Sequence, residues 1–224
     1  MHDSSFLTDP AASARTGPSR RSLLGKAALL GLGAAPVLGL ATSSTHAAPQ
    51  QQLDASSREA FTDIRLHEND HVARARALLG SRARPKPTFK NLSTANFNAF
   101  VAMARMLENT DAAGLLGLMP LISSRDVLAE AGSFALIEGR QAGFLNVFSG
   151  VDNTRQEKTG TPSAFEKPLT VQEVVSRISP FIASLNGGPP LTVTPGNDVS
   201  ILNFILVDEY LGAEFYNINI PKYF

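Results

Sequence analysis

The sequence predicts an all-α protein, a bundle of four long helices. Two observations carry this reading. Four long stretches repeat apolar side chains at steps of three and four, the spacing of one helix face. Each of these apolar stripes also carries a glutamate near its middle, which puts the four carboxylates at similar depth on faces that must turn toward a common axis.

The first helix opens at Ser56-Ser57-Arg58-Glu59, a capping-box string, and runs to about Leu79, where Gly80 stops it. Its stripe is Phe61, Ile64, Glu68, His71, Ala75 and Leu78. A basic, proline-bearing linker follows, from Ser81 to about Leu92. The second helix spans roughly Thr94 to Met119, with the stripe Phe97, Val101, Ala104, Glu108, Ala112 or Asp111, and Leu115. Ser123 or Ser124 caps the third, about Arg125 to Phe148, whose stripe is Val127, Ala131, Phe134, Glu138, Gln141, Leu145 and Phe148. Residues 151–197 are rich in Thr, Pro, Gly and Asn and read as a long irregular connector. One short helix is expected within it, opened by the capping box Thr170-Val171-Gln172-Glu173, with Val174, Val175, Ile178, Phe181 and Ile182 on its apolar side. The fourth long helix starts at Asn197 or Asp198 and ends near Pro221. Its stripe is Leu202, Ile205, Glu209, Gly212 and Tyr216.

The N-terminus reads as an address. Ser19-Arg20-Arg21-Ser22-Leu23-Leu24 is a twin-arginine string, followed by a weakly apolar run from Ala27 to Ala41 and by small residues around Thr45 to Pro49. The order charged, apolar, small is that of an export signal, and the arginine pair resembles a Tat signal. Residues 1–47 are therefore read as signal and 53–224 as the bundle domain. The run is too short and too glycine-rich to be a comfortable membrane anchor. Removing residues 1–47 takes four of the 20 basic and two of the 20 acidic residues, leaving a net charge of −2. A periplasmic or extracellular location follows. Nucleic acid and an anionic membrane are not expected partners at this charge. The chain has no cysteine, which excludes disulfides, thiolate metal sites and cysteine nucleophiles.

The mid-stripe carboxylates carry the chemistry. A buried unpaired carboxylate costs several kcal/mol, and like charges packed together raise one another's pKa. Four converging carboxylates need a compensating cation or several bound protons. Glu68-x-x-His71 and Glu138-x-x-Gln141 place two side chains each on one helix face. Carboxylates with imidazole on facing helices suit iron or manganese. Di-iron carboxylate bundles use a single Glu from two helices and Glu-x-x-His from the other two. Here Gln141 stands in place of the second histidine.

These residues carry a resemblance. Leu202 to Tyr216 (LNFILVDEYLGAEFY) resembles the first helix of the ferritin-like, desiccation-related protein family. His67-Glu68-Asn69-Asp70-His71 is similar to that family's second helix, Leu107-Glu108-Asn109-Thr110-Asp111 to its third, and Ile137-Glu138-Gly139-Arg140-Gln141-Ala142 to its fourth. The similarity covers most of residues 58–148 and 197–217. It implies a ferritin-like four-helix bundle holding iron or manganese through Glu68, His71, Glu108, Glu138, Gln141 and Glu209. It also implies a role tied to desiccation or oxidative stress. The helix order departs from the family's: the helix resembling the first comes last, as in a circular permutant. Either that helix returns to its own bundle through the 151–197 connector, or it packs into a second copy as a swapped homodimer. Glutamine can ligate through oxygen but is a weaker donor than histidine, so the second metal position is the weaker one.

Two other readings stand beside this one. HENDH at 67–71 is also the zinc-peptidase string, in which His67 and His71 bind the metal and Glu68 is the general base. That reading needs a third ligand and a cleft with an edge strand. The stripe instead turns Glu68 and His71 inward and His67 to one side. The other reading is a metal-free bundle acting as a structural or binding protein. Tyr216 is either a redox-active neighbour of the site or simply core, and whether any reaction is catalysed stays open at this level.

Overall fold

The computed structural model describes residues 53–224. The twin-arginine string and the apolar run after it lie outside the described residues. Four long helices make an all-α bundle: α1 (Ala55–Leu79), α2 (Phe97–Leu118), α3 (Arg125–Phe148) and α5 (Asp198–Tyr223). The short α4 (Val171–Ile178) lies in the connector.

The starts of the helices differ from the sequence reading by a few residues, each for a visible reason. Asp54, not a serine pair, caps α1, its carboxylate accepting from Ser57 N at 2.7 Å. Asn96 caps α2, accepting from Ala99 N. Thr94 stays outside the helix because its backbone N–H and hydroxyl are both held by the buried Asn219 side chain. Ser124 caps α3 and Asn197 caps α5 as the residue types suggest. The α5 helix also runs past Pro221 to Tyr223. The missing proline N–H leaves only the carbonyl of exposed Asn217 without its helical donor, so the break costs little there.

Aromatic and capping contacts fix the helix directions. Phe61, near the start of α1, meets Phe97 and Phe100 at the start of α2, Phe144 and Phe148 at the end of α3, and Phe224 after α5. At the opposite end Asp198, the first residue of α5, accepts from Ser123 N and Ser124 N, just before α3, at 2.8 Å each. Hence α1 and α2 run one way and α3 and α5 the other. The closest partners are the antiparallel pairs α1/α5 and α2/α3. The last helix therefore packs along the first within its own chain.

This arrangement needs two long crossings. A 24-residue helix such as α3 is about 36 Å long, and the 151–197 connector must bring the chain back over that distance. It is pinned on the way: Leu169 N donates to Ala113 O, and Gly196 N donates to Leu121 O. Leu169 O lies where a methyl at Gly117 would stand, so glycine is required at that approach. The Thr170/Glu173 capping box forms. The helix it opens ends at Ile178, earlier than the apolar pattern suggests. Pro180 sits in a 3-10 turn, and the chain then pairs as β2 (Ile182–Ser184) with β1 (Thr88–Phe89) of the first crossing.

The α5 helix departs most from its expected single stripe. Every residue from Ile201 to Ala213 is buried. Neighbouring helices cover one part of its surface, and the crossing between α1 and α2 covers another. Arg84 N donates to Asn203 Oδ1 at 2.7 Å, Asn203 Nδ2 donates to Arg82 O, and Asn219 Nδ2 donates to Leu92 O. A helix buried on all sides reads as apolar all round rather than amphipathic, and this one carries Asp208 and Glu209 into the interior.

Candidate metal centre

Glu68 and His71 stand one turn apart on the buried side of α1, and Glu138 and Glu209 reach the same volume from α3 and α5. Each of the four offers one ligand atom, and these atoms all lie within 4.8 Å of one another. His71 Nδ1 is 2.9 Å from Glu138 Oε1, 3.2 Å from Glu209 Oε2 and 3.9 Å from Glu68 Oε1. The imidazole is stacked on Phe134, ring centres 4.5 Å apart, which holds its plane. Opposite Glu68, α5 supplies Gly212; a methyl at that position would overlap Glu68 Oε2. The glycine is the cradle that lets the carboxylate sit between α1 and α5.

Glu108 of α2 lies on the other side of Glu138. Glu108, Asp111 and Glu138 form a second group whose ligand atoms are within 4.8 Å of one another. The Tyr216 hydroxyl donates to Glu108 Oε1 at 2.5 Å. Gln141 is next to both acids, but through its nitrogen. In the orientation its neighbours require, the amide donates to Glu108 Oε2 (2.8 Å) and Glu138 Oε2 (3.0 Å), while its oxygen accepts from His67 Nδ1 (3.1 Å). An amide nitrogen is a donor without a free lone pair for a metal. With no ion present, Gln141 in this orientation links Glu108 and Glu138 to His67. His67 is exposed and belongs to neither ligand group.

Two acids of this region were not singled out from the sequence as ligands. Asp111 falls three residues after Glu108, so the i,i+3 spacing was legible, but its neighbour Ala112 fitted the apolar stripe better. Asp208 precedes Glu209 and falls off the stripe, and only the all-round burial of α5 brings it inside. Six carboxyl groups are therefore buried here, Glu68, Glu108, Asp111, Glu138, Asp208 and Glu209, with one imidazole among them.

The electrostatics follow from that crowding. Burial, then the charges of Glu138, Glu108 and Glu209, push the Glu68 pKa well above the usual carboxylate range against the pull of His71. Burial and Glu108 do the same to Glu138, and burial and Asp208 do it to Asp111. Burial raises Glu108 despite its hydrogen bonds to Glu138 and Tyr216, and lifts Asp208 to about 6. For His71, burial opposes the charge, but the contact with Glu209 and the nearby acids outweigh it and raise its pKa. The Tyr216 hydroxyl is kept protonated by burial and by Glu108.

The donor set tests well against a metal ion. Glu68 Oε1, His71 Nδ1, Glu138 Oε1, Asp111 Oδ1 and Asp208 Oδ1 are buried without a hydrogen-bond partner. Buried polar atoms are normally satisfied, and these converge from different helices. Hard carboxylate oxygens with one imidazole match iron or manganese better than a thiolate-seeking metal.

Among the described residues no helix is long and apolar enough to cross a membrane. Neither a curated protein nor a solved structure matches the chain significantly. The family model described as a ferritin-like domain matches residues 34–150, just over half of the 224, and spans α1, α2 and α3. The chain belongs to the ferritin-like domain family.

Proposed function

We propose that this is an exported ferritin-like protein whose bundle core binds iron or manganese through Glu68, His71, Glu138 and Glu209, with Glu108 joined to them through Glu138. The convergence of four buried ligand atoms from three helices, two of them oxygens without partners, supports the reading most strongly. Such an ion supplies one-electron redox chemistry toward oxygen or peroxide, which fits a role in desiccation or oxidative stress. The chain's own residues would prepare the site. Phe134 fixes the His71 ring, Gly212 leaves room for Glu68, and Gln141 and Tyr216 orient Glu138 and Glu108. The last helix completes the site from the far end of the sequence, as a circular permutation of the family order would have it. Export would follow from Arg20 and Arg21; replacing both with lysine should leave the precursor in the cytoplasm, and normal export of that variant would rule out the Tat route.

One observation favours a second reading. His71 Nδ1 is close enough to Glu138 and Glu209 for a protonated imidazole to serve as the cation, leaving a metal-free bundle with a structural or binding role. Elemental analysis of protein exported in its native host separates the two. Iron or manganese at stoichiometric level supports the metal centre. Metal below a tenth of an equivalent per chain supports the metal-free bundle, and zinc at one per chain revives the peptidase reading of HENDH.

A further inference from the structure

We propose that the outer face of α3 is an interface on which a second copy of this chain docks, about a two-fold axis at Leu136. A groove of about 740 Å³ runs between α2 and α3, and none of Glu68, His71, Glu138 and Glu209 lines it. Leu116 and Met119 of α2 form one wall. On α3, Gly132, Leu136, Gly139 and Gly143 follow at steps of four, three and four, so they share one helix face. Leu136 is apolar yet 67 % exposed. The bundle itself does not ask for two of these glycines. A methyl at Gly139 would meet nothing within 4 Å, and one at Gly143 only the Asn153 carbonyl oxygen at 3.8 Å. Glycine inside a helix is destabilising relative to alanine, so its use here fits a close approach from outside the chain.

The face is complementary to itself, which is what a two-fold contact requires. Leu136 stands at the middle of Arg125–Phe148, with the small residues Ala129 and Gly143 seven positions to either side. Two antiparallel copies of α3 that cross at Leu136 set each leucine among the other's glycines. Between Glu130 and Arg140 the only charge on α3 is the buried Glu138, so the centre of the contact carries none. The charges at the ends agree. Arg125 and Asp126 are exposed about 15 Å from Leu136 toward the start of α3. Arg155 and Glu166 line the other end of the groove, beside Asn146, about 15 Å the other way. None of these four makes an ion pair among the described residues. The antiparallel copy brings Arg125 to the partner's Glu166 and Asp126 to the partner's Arg155, and the symmetry repeats both pairs. Opposite charges so placed fix register and orientation. The contact does not involve exchange of α5, which stays packed on α1 of its own chain.

Sedimentation equilibrium of the full chain tests this, and should give two chains per particle at micromolar concentration. Gly139→Leu fills a hole and Leu136→Glu sets a charge on the axis. Each should raise the dimer dissociation constant about a hundredfold. Circular dichroism and a thermal melt check that both variants stay folded. Glu166→Arg should weaken the dimer about tenfold, and adding Arg125→Glu to the same chain should restore it. The chain has no cysteine, so Leu136→Cys carries a single thiol that meets its own copy on the axis. Oxidation with diamide should link it into a covalent pair, whereas Leu66→Cys, 51 % exposed on α1, should stay single. A wild type that sediments as one chain would overturn the proposal and leave the face to residues 1–52 or to an apolar small molecule. A dimer unaffected by Gly139→Leu and Leu136→Glu would also overturn it, by placing the contact elsewhere.

Discussion

Gly212 of α5 faces the Glu68 carboxylate of α1 so closely that a methyl group would overlap Oε2. The two residues are far apart in sequence, and the contact exists because the last helix returns to pack on the first. Replacing Gly212 with alanine favours the helix by about 0.8–1 kcal/mol in propensity. It also forces Glu68 to turn away from Glu138, Glu209 and His71. Gly212→Ala should therefore fold with stability near that of the wild type yet lose roughly 10–100-fold in metal affinity, the scale of disturbing a ligand's support. Equilibrium dialysis with manganese(II), run beside a thermal melt, measures both.

The two histidines of HENDH should behave differently. His71 faces Glu138 and Glu209 in the core, whereas His67 is exposed and touches the site only through Gln141. His71→Ala and Glu209→Gln should each strip the metal or weaken it at least tenfold. His67→Ala should retain it with a change of a few-fold, from a looser Gln141. Mass-spectrometric metal content of the three variants checks this. Loss in His67→Ala with retention in Glu209→Gln would point instead to the zinc-peptidase arrangement.

The metal-free protein should lose stability as pH rises. Glu68, Glu108, Asp111, Glu138 and Asp208 all have raised pKa values, Asp208 from 3.8 to about 6. The folded chain keeps these protons after the unfolded chain has released them, so it binds more protons and stability falls with pH in that window. His71 acts in the same direction. Its raised pKa gives stability that is full below about 6.5 and lost as pH passes the folded value. The chelated protein should melt several degrees lower at pH 8 than at pH 5. Added manganese should stabilise more at pH 8, where ligands need not shed protons. A melting temperature of the chelated protein that climbs from pH 5 to pH 8 would contradict the site electrostatics.

Truncation before Asn197 should destroy the fold. It removes α5, with Ile201, Leu202, Phe204, Ile205, Leu206, Val207 and Leu211 among its buried side chains. Each contributes about 1.5–3 kcal/mol by burial, which together exceeds the ~5–15 kcal/mol stability of a typical domain. The shortened chain should aggregate or show no cooperative melt by calorimetry. A soluble three-helix product of unchanged stability would show that α5 is dispensable.

Much of this architecture was legible because helices with one buried face announce themselves by period. The stripes of α1 and α3 place Phe61, Glu68, His71, Phe134 and Glu138 on their buried sides. What escaped depends on packing between distant segments. Asp208 is invisible to a stripe because α5 is buried all round. The amide of Gln141 can be oriented only once His67, Glu108 and Glu138 are in place around it. Thr94 fails to enter α2 because Asn219 holds it from the far end of the chain. The Thr170 capping box was readable because both of its residues are local, but the β1/β2 pairing after it joins two segments that no sequence period connects.

Anomalous diffraction from crystals grown with excess iron or manganese, collected at the metal's absorption edge, tests the central claim most directly. The account predicts a peak among Glu68, His71, Glu138 and Glu209. A core without anomalous density, in which His71 Nδ1 still lies beside Glu138 and Glu209, would contradict it.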